Sequence, residues 1–261
     1  MFSMKTSTKA LLLASLLSSY TMADTSDNEA VINPDDLQDV TKINPQAAFF
    51  VTSDSDVRVS GIFSGKWNDN TNFSGFAEGI FGDKYGEDEF DTKYIGGRAQ
   101  YFQAHGFDNS YIPRAGFSLD LVHKTQHGLD DTVLFSAGTV IAIDSRFTPG
   151  FQMFPNVAYT TGEVFGKSAD GYLVNLFMTK PIGDNGAFML AWPEYFDVSG
   201  STVELESKSL NVIFQTPVKT NFGQWVVSKF SYNETNVTMP NGTKLKGDGE
   251  LTLELGMKWY F

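Results

Sequence analysis

The chain ends on the stretch ELTLELGMKWYF, residues 250–261, in which apolar and polar side chains alternate. Successive side chains of a β-strand point to opposite faces of the sheet, so this stretch predicts a strand with two different faces. Charged residues, a glycine and a tyrosine make up one face. The other is wholly apolar and ends in two aromatic rings, as in the interfacial girdle of a membrane barrel. Its members are Leu251, Leu253, Leu255, Met257, Trp259 and Phe261.

The same period of two recurs along the rest of the chain in short segments. Turn-forming Gly, Pro, Asn and Asp residues separate these segments, which is typical of hairpin connections. We therefore predict an all-β fold, an antiparallel up-and-down β-barrel of about 12 strands over residues 46–261. A soluble, lectin-like sandwich is the alternative. The predicted strands lie near residues 46–53, 57–67, 72–81, 92–105, 113–124, 132–144, 156–166, 171–180, 186–197, 203–216, 222–232 and 249–261.

The last predicted strand resembles the C-terminal signature of Gram-negative outer-membrane β-barrel proteins, a final alternating strand that closes with an aromatic residue. The resemblance rests on Trp259 and Phe261, and the rest of the chain matches no specific family. It implies that these two residues form an assembly signal for the barrel-assembly machinery. It also implies a transmembrane barrel in the cell outer membrane, in contact with lipids and lipopolysaccharide.

An even number of strands places both ends of the barrel on one side of the membrane, which the resemblance identifies as the periplasm. The apolar stretch at residues 146–155 would then be an unusual periplasmic turn. Asn241-Gly242, a pair that favours tight hairpin turns, marks the expected tip of the last extracellular loop. The expected extracellular loops are residues 82–91, 125–131, 167–170, 197–201 and 233–248.

The first residues of the chain, 1–23, carry the features of a secretory signal peptide. Two lysines precede an apolar stretch at residues 10–17, and small residues occupy the cleavage positions around Ala23. This stretch is shorter than the roughly 20 residues that a membrane-spanning helix needs; a buried core helix is the alternative. Residues 24–45 are acidic and polar, and we expect a mobile tail or a short plug there.

Composition excludes several classes of function. The formal net charge is −12 and Lys and Arg form no cluster, so nucleic acid is not an expected partner. The chain has no cysteine, which excludes disulfides and thiolate metal sites. No run after residue 23 reaches the length of a membrane helix, so the chain would have to enter a membrane as strands.

Neither a metal site, a cofactor nor a catalytic constellation is expected. His123 and His127 are four residues apart, but they lie where a predicted strand runs into a loop, so they need not converge on a metal. Ser118 and Asp120 are at odd spacings from His123 and would point to the opposite face of the same strand. Neither can pair with His123 as in a hydrolase, although a partner on another strand is still possible.

Charged side chains recur on the faces opposite the apolar ones, and we expect them to line the barrel interior. They form either a selectivity lining or a polar interior crossed by ion pairs. Barrels of about eight strands are filled by side chains and those of about 16 leave an open channel, so about 12 strands permit a narrow pore. The candidate lumen-lining residues are Arg58, Arg98, Arg114, Asp120, Lys229, Glu250, Glu254 and Lys258.

The function that the sequence favours is a narrow porin-like channel for small solutes or ions. Two alternatives stay open. The first is a closed barrel with a structural or surface-recognition role in adhesion or envelope integrity. The second is a hydrolase embedded in the membrane.

Overall fold

The computed structural model of the chain describes residues 45–82, 93–125, 128–218 and 223–260. The predicted signal peptide, nearly all of the predicted tail at residues 24–45, His127 and Phe261 lie outside the described residues. None of the described residues forms a helix long and apolar enough to cross a membrane.

Twelve long antiparallel strands form a closed barrel in which each strand pairs with its neighbours in the sequence. The first strand pairs with the last, which closes the ring. A thirteenth, very short strand pairs beside the ring. The up-and-down barrel of about 12 strands is thus confirmed. The strands are β1 (Gln46–Thr52), β2 (Val57–Asn68), β3 (Thr71–Gly82), β4 (Lys93–Gly106), β5 (Arg114–Lys124), β6 (Thr132–Ala142), β7 (Gln152–Val164), β8 (Lys167–Pro181), β9 (Phe188–Ser199), β10 (Glu204–Pro217), β11 (Gln224–Thr238), β12 (Lys244–Lys246) and β13 (Glu250–Tyr260).

The two faces of β13 point as its alternation predicts. Leu251 and Leu255 face outward and are 74% and 57% exposed, whereas Glu254 and Lys258 face inward and are 2% and 6% exposed. Other strands share this arrangement, which places exposed large apolar side chains such as Phe117 all around the outer wall. An apolar outer face with a polar interior is the arrangement of a barrel whose surrounding solvent is lipid.

The connection between β7 and β8 is a two-residue turn, and the prediction of a loop at residues 167–170 is wrong. Phe165 and Gly166 both have positive φ, 51° and 67°, which a tight hairpin turn requires. Phenylalanine is unusual in this conformation. Its ring is buried in an apolar cluster inside the barrel with Leu134 and Phe196, and this burial offsets the backbone strain.

The predicted long loop at residues 233–248 is also partly wrong, because β11 continues to Thr238 and forms a small hairpin with β12. At the tip of this hairpin the Gly242 N–H donates to the Met239 carbonyl at 2.8 Å, and Gly242 has a φ of 82°. The predicted turn at Asn241-Gly242 is therefore confirmed.

The predicted boundary of β7 is wrong by several residues. This strand begins at Gln152, not near residue 156. The reason is that Phe154 faces the interior and packs against Val140, Ala142 and Phe177. Phe154, near the end of the expected turn, is thus a buried part of the barrel wall.

Side chains fill the interior unevenly. Along β6 to β9 the inward side chains are closely packed, with Leu134, Phe154, Leu173 and Asn175 at most 2% exposed. Inward charged residues of β2, β3, β11 and β13 border a cavity, which β8 and β9 also border through Phe177, Leu190 and Trp192. We call the end of the barrel that holds Gln46 and Tyr260 the terminal end, and the opposite end the loop end.

Candidate functional site in the barrel interior

Inward-pointing charges from four strands meet along one side of the wall. Arg58 of β2 forms ion pairs with Glu78 of β3, at 3.2 Å, and with Glu254 of β13. The ammonium of Lys229 on β11 lies 3.4 Å from Glu254. Side chains of a strand alternate between its two faces, and each of these four residues lies at an inward position of its strand. The four side chains therefore meet in the interior. All four are at most 15% exposed.

A second group of charges continues the first around the wall. Arg98 of β4 is the register partner of Glu78 on β3. The Nε of Arg98 donates to the carboxylate of Asp120 on β5 at 3.0 Å, and one terminal nitrogen donates to Glu194 on β9 at 2.7 Å. The Gln100 amide donates to Asp120 at 2.9 Å. Paired hydrogen bonds of this kind are the stronger form of the Arg–carboxylate interaction.

Together these residues form a band that we call the ion-pair belt: Arg58, Glu78, Arg98, Asp120, Glu194, Lys229 and Glu254. Along the wall from β11 to β5 the charges alternate in sign, so each charge has opposite charges as its nearest neighbours. Alternation stabilises ionised groups where water is scarce.

One contact of the belt crosses the lumen. Arg98 and Glu194 lie on β4 and β9, which are separated around the barrel by four strands in one direction and six in the other. The Arg98 guanidinium carbon lies 4.9 Å from the centroid of the Trp192 ring, and this cation–π contact helps to hold the side chain in place. The Arg98–Glu194 contact therefore bridges opposing walls and narrows the lumen at mid-height.

Nearer the terminal end, Lys258 of β13 occupies an aromatic surrounding. Its ammonium lies 4.5 Å from the ring centroid of Tyr260 and 5.5 Å from those of Phe188 and Trp225. It donates to the Tyr260 hydroxyl at 2.5 Å and to the Gln215 amide oxygen. Within the described part of the chain, no carboxylate forms an ion pair with Lys258.

A cavity of about 200 Å³ lies between the belt and the terminal end. Arg58, Glu78 and Lys229 border it on the belt side, and Lys258 and Gln46 border it on the terminal side. Most of its wall is apolar and aromatic. This wall includes Phe50, Ile62, Phe76, Phe102, Phe177, Leu190, Trp192 and Ile213.

A glycine shapes one wall of the cavity. A Cβ at Gly256 of β13 would lie 2.3 Å from the Phe49 carbonyl oxygen and 2.4 Å from the Phe50 ring, both on β1. Any larger residue there would displace the ring or the β1 backbone. The absence of a side chain at Gly256 thus lets β1 and the Phe50 ring pack closely against β13.

The structure places the expected lumen-lining residues at three levels. Arg58, Arg98, Asp120, Lys229 and Glu254 belong to the ion-pair belt. Lys258 borders the cavity, and Arg114 is half-buried at the terminal end of β5, where its strand position faces inward. Glu250, by contrast, is exposed at the loop end of β13, away from the belt.

Sequence reasoning missed two members of the belt, Glu78 and Glu194. Both lie in strands with apolar residues on both faces, so alternation did not assign them to the interior. A usable signal was present, because each is the one ionised residue near the middle of an apolar strand segment. Such a residue is costly on a lipid-facing wall.

On the outer wall, the side-chain partners of His123 among the described residues are Asp131 and Tyr94. Its Nε2 lies 2.9 Å from Asp131 and its Nδ1 lies 3.2 Å from the Tyr94 hydroxyl. Ser118 and Asp120 are buried in the interior, on the other face of β5. Within the described ranges, no group of three or more His, Cys, Asp or Glu residues is placed to hold a metal ion.

Trp259, one of the two residues of the expected assembly signal, lies on the outward face of β13 opposite Ala47 of β1. It belongs to the same row as Leu251 and Leu255. Its position at the terminal end is that of an interfacial aromatic residue. Its role in assembly stays a prediction.

No family model matches the chain, and no curated protein matches it. Solved structures do match its fold. Outer membrane phospholipase A from Escherichia coli has a TM-score of 0.53 at 9% identity, over 90% of this chain and 94% of that one. The KdgM porin in complex with disordered oligogalacturonate has a TM-score of 0.47 at 8% identity, over 84% and 99%. The outer membrane channel DcaP of Acinetobacter baumannii has a TM-score of 0.39 at 14% identity, over 79% and 63%. The structural neighbours are thus outer-membrane β-barrels, and at these identities the likeness concerns the fold alone.

Proposed function

We propose that this chain is an outer-membrane β-barrel of a Gram-negative bacterium and that its interior forms a narrow porin-like channel for small solutes or ions. The observation that carries the proposal is the ion-pair belt beside an open cavity in the interior. Lipids and lipopolysaccharide would surround the apolar outer wall, and the barrel-assembly machinery would insert the chain.

The uneven interior supports a pathway along one side of the barrel. The inward side chains of β6 and β7 are closely packed and do not line the cavity, whereas most of the residues that line it belong to β1 to β4, β9 to β11 and β13. Passage along the open side meets the belt, whose paired charges select by charge and size. Transient opening of the Arg98–Glu194 bridge would widen this route, since the contact spans the lumen.

The proposal is tested by conductance in planar lipid bilayers. The wild-type barrel should give small discrete current steps. Replacing Arg98 and Glu194 together by alanine should raise the single-channel conductance severalfold, because the contact across the lumen is removed. Asp120 loses its Arg98 partner in this variant, so the folding of the variant is checked first.

A matched control is available on the outer wall, where Glu206 and Lys208 of β10 form an exposed ion pair at 2.9 Å. Replacing this pair by alanine should leave the conductance unchanged. If neither the wild-type barrel nor the Arg98/Glu194 variant conducts, although both are folded, the channel proposal fails.

That negative result would favour the second candidate, a closed barrel with a structural or surface-recognition role. The observation in its favour is the low exposure of the belt. Arg98, Asp120 and Glu194 expose 6–18% of their side chains although they face the lumen. The conductance measurement therefore decides between the two functions.

Orientation in the membrane gives a separate prediction. The chain has no cysteine, so single cysteines introduced at Asn241 and Asn185 can be labelled selectively. Both residues are exposed, Asn241 at the loop end and Asn185 in a turn at the terminal end. On intact cells, a membrane-impermeant maleimide should label Asn241→Cys and spare Asn185→Cys. The reverse pattern would show that the loop end faces the periplasm.

A further inference from the structure

The cavity joins an apolar wall to cationic groups that lack a full set of partners. Lys258 lies at its terminal side and is 94% buried, as its exposed fraction is 6%. The partners of its ammonium are a hydroxyl, an amide oxygen and aromatic rings, all of them neutral. Aromatic faces offset part of the cost of burying an ammonium. A counter-charge would offset much more.

Arg58 supplies a second donor on the belt side of the cavity. Its terminal nitrogens contact Glu78 and Glu254, but its Nε is buried and has no hydrogen-bond partner among the described residues. The side-chain oxygen of Gln46 at the terminal side is likewise buried without such a partner. Buried polar atoms without partners are uncommon in folded proteins, and these two belong to residues that line the same cavity.

Size limits what the cavity can hold. A cavity of about 150 Å³ lined by apolar side chains holds benzene in a well-studied engineered protein. The present cavity, at about 200 Å³, has room for one six-membered ring and a small polar group. Its wall of Phe76, Phe102, Phe177 and Trp192 suits the face and edge of an aromatic ring.

We propose that this cavity binds a small aromatic carboxylate, with the carboxylate on Lys258 and the ring against the aromatic wall. The ligand would supply the counter-charge that Lys258 lacks among the described residues. The inference deepens the proposed channel function by naming a class of solute, and it rests on that function for passage of the solute but not for binding.

Binding is measured by calorimetric titration of the folded barrel in detergent with benzoate, and with benzamide as a neutral ligand of the same shape. Benzoate should bind saturably and at least tenfold more tightly than benzamide. Lys258→Met keeps the length of the apolar stem and should weaken benzoate binding at least tenfold, with little effect on benzamide. The matched control is Lys180→Met, since the Lys180 ammonium also lies over an aromatic ring, that of Phe151, but outside the cavity.

A second variant, Ile62→Trp, fills the cavity without removing a charge and should abolish binding of both ligands. It keeps the test decisive if Lys258→Met does not fold. Equal affinity for the two ligands, or benzoate binding that survives Ile62→Trp, would overturn the inference. Because the titration needs no ion flow, a barrel that binds benzoate without conducting would uphold the site and refute the channel.

Discussion

Replacing Glu254 by glutamine is expected to lower the free energy of unfolding of the barrel by about 3–5 kcal/mol, the typical cost of breaking a buried ion pair from one side. Glu254 is 2% exposed and accepts contacts from both Arg58 and Lys229. Loss of its charge leaves two neighbouring cations without their shared counter-charge. Urea titration of the barrel refolded into lipid vesicles, followed by tryptophan fluorescence, measures the change.

The control is Glu250→Gln, which makes the same chemical change on the same face of β13 at an exposed position. Its effect should stay within about 0.5 kcal/mol. Adding Lys229→Met to Glu254→Gln should recover part of the lost stability, because it removes one of the two uncompensated cations. Equal, small effects of the two glutamine substitutions would mean that the belt does not stabilise the barrel.

The second large effect is expected on the outer wall. Leu255 faces outward at the middle of β13, paired with Val51 and Ser228, and is 57% exposed. Leu255→Arg should destabilise the vesicle-inserted barrel by about 2–4 kcal/mol, the cost of a cation at the bilayer midplane. Leu251→Arg, in the same outward row near the loop end, should cost at most about 1 kcal/mol.

The same titration measures both arginine variants. A depth-dependent difference is expected only if lipid surrounds the barrel. In water, an exposed leucine tolerates arginine at either position, because surface substitutions have small effects. Equal and small losses at Leu255 and Leu251 would therefore contradict a membrane environment for this wall.

The alternation of side chains predicted the fold well because a barrel wall separates two different solvents. In β13, outward apolar residues alternate with inward residues that are mostly polar, and the predicted strand matches the observed one almost to the residue. Prediction failed where another contact outweighs that pattern. Phe154 extends β7 because its ring packs inside the barrel, and Phe165 forms a turn in a conformation that favours glycine or asparagine.

The candidate site was predictable only in part. Alternation assigns a residue to a face, and in the structure Arg58, Arg98 and Glu254 lie on the inward faces of their strands. It holds no information about which inward residues meet. Arg98 and Glu194 are 96 residues apart in the chain and meet only because the sheet closes on itself. Such a contact depends on barrel size and strand stagger, which no single strand encodes.

The strands of the wall differ in length, so the barrel has no single height. β1 has 7 residues, fewer than the roughly 9–11 with which a tilted strand crosses the hydrocarbon core. β8 and β11 have 15 residues each. Lipids adjust to such a mismatch by thinning or thickening next to the protein, at a modest cost per ångström. The bilayer should therefore be thinner beside the junction of β1 and β13 than beside β8. The thickness of the surrounding lipid would then vary around the circumference of the barrel.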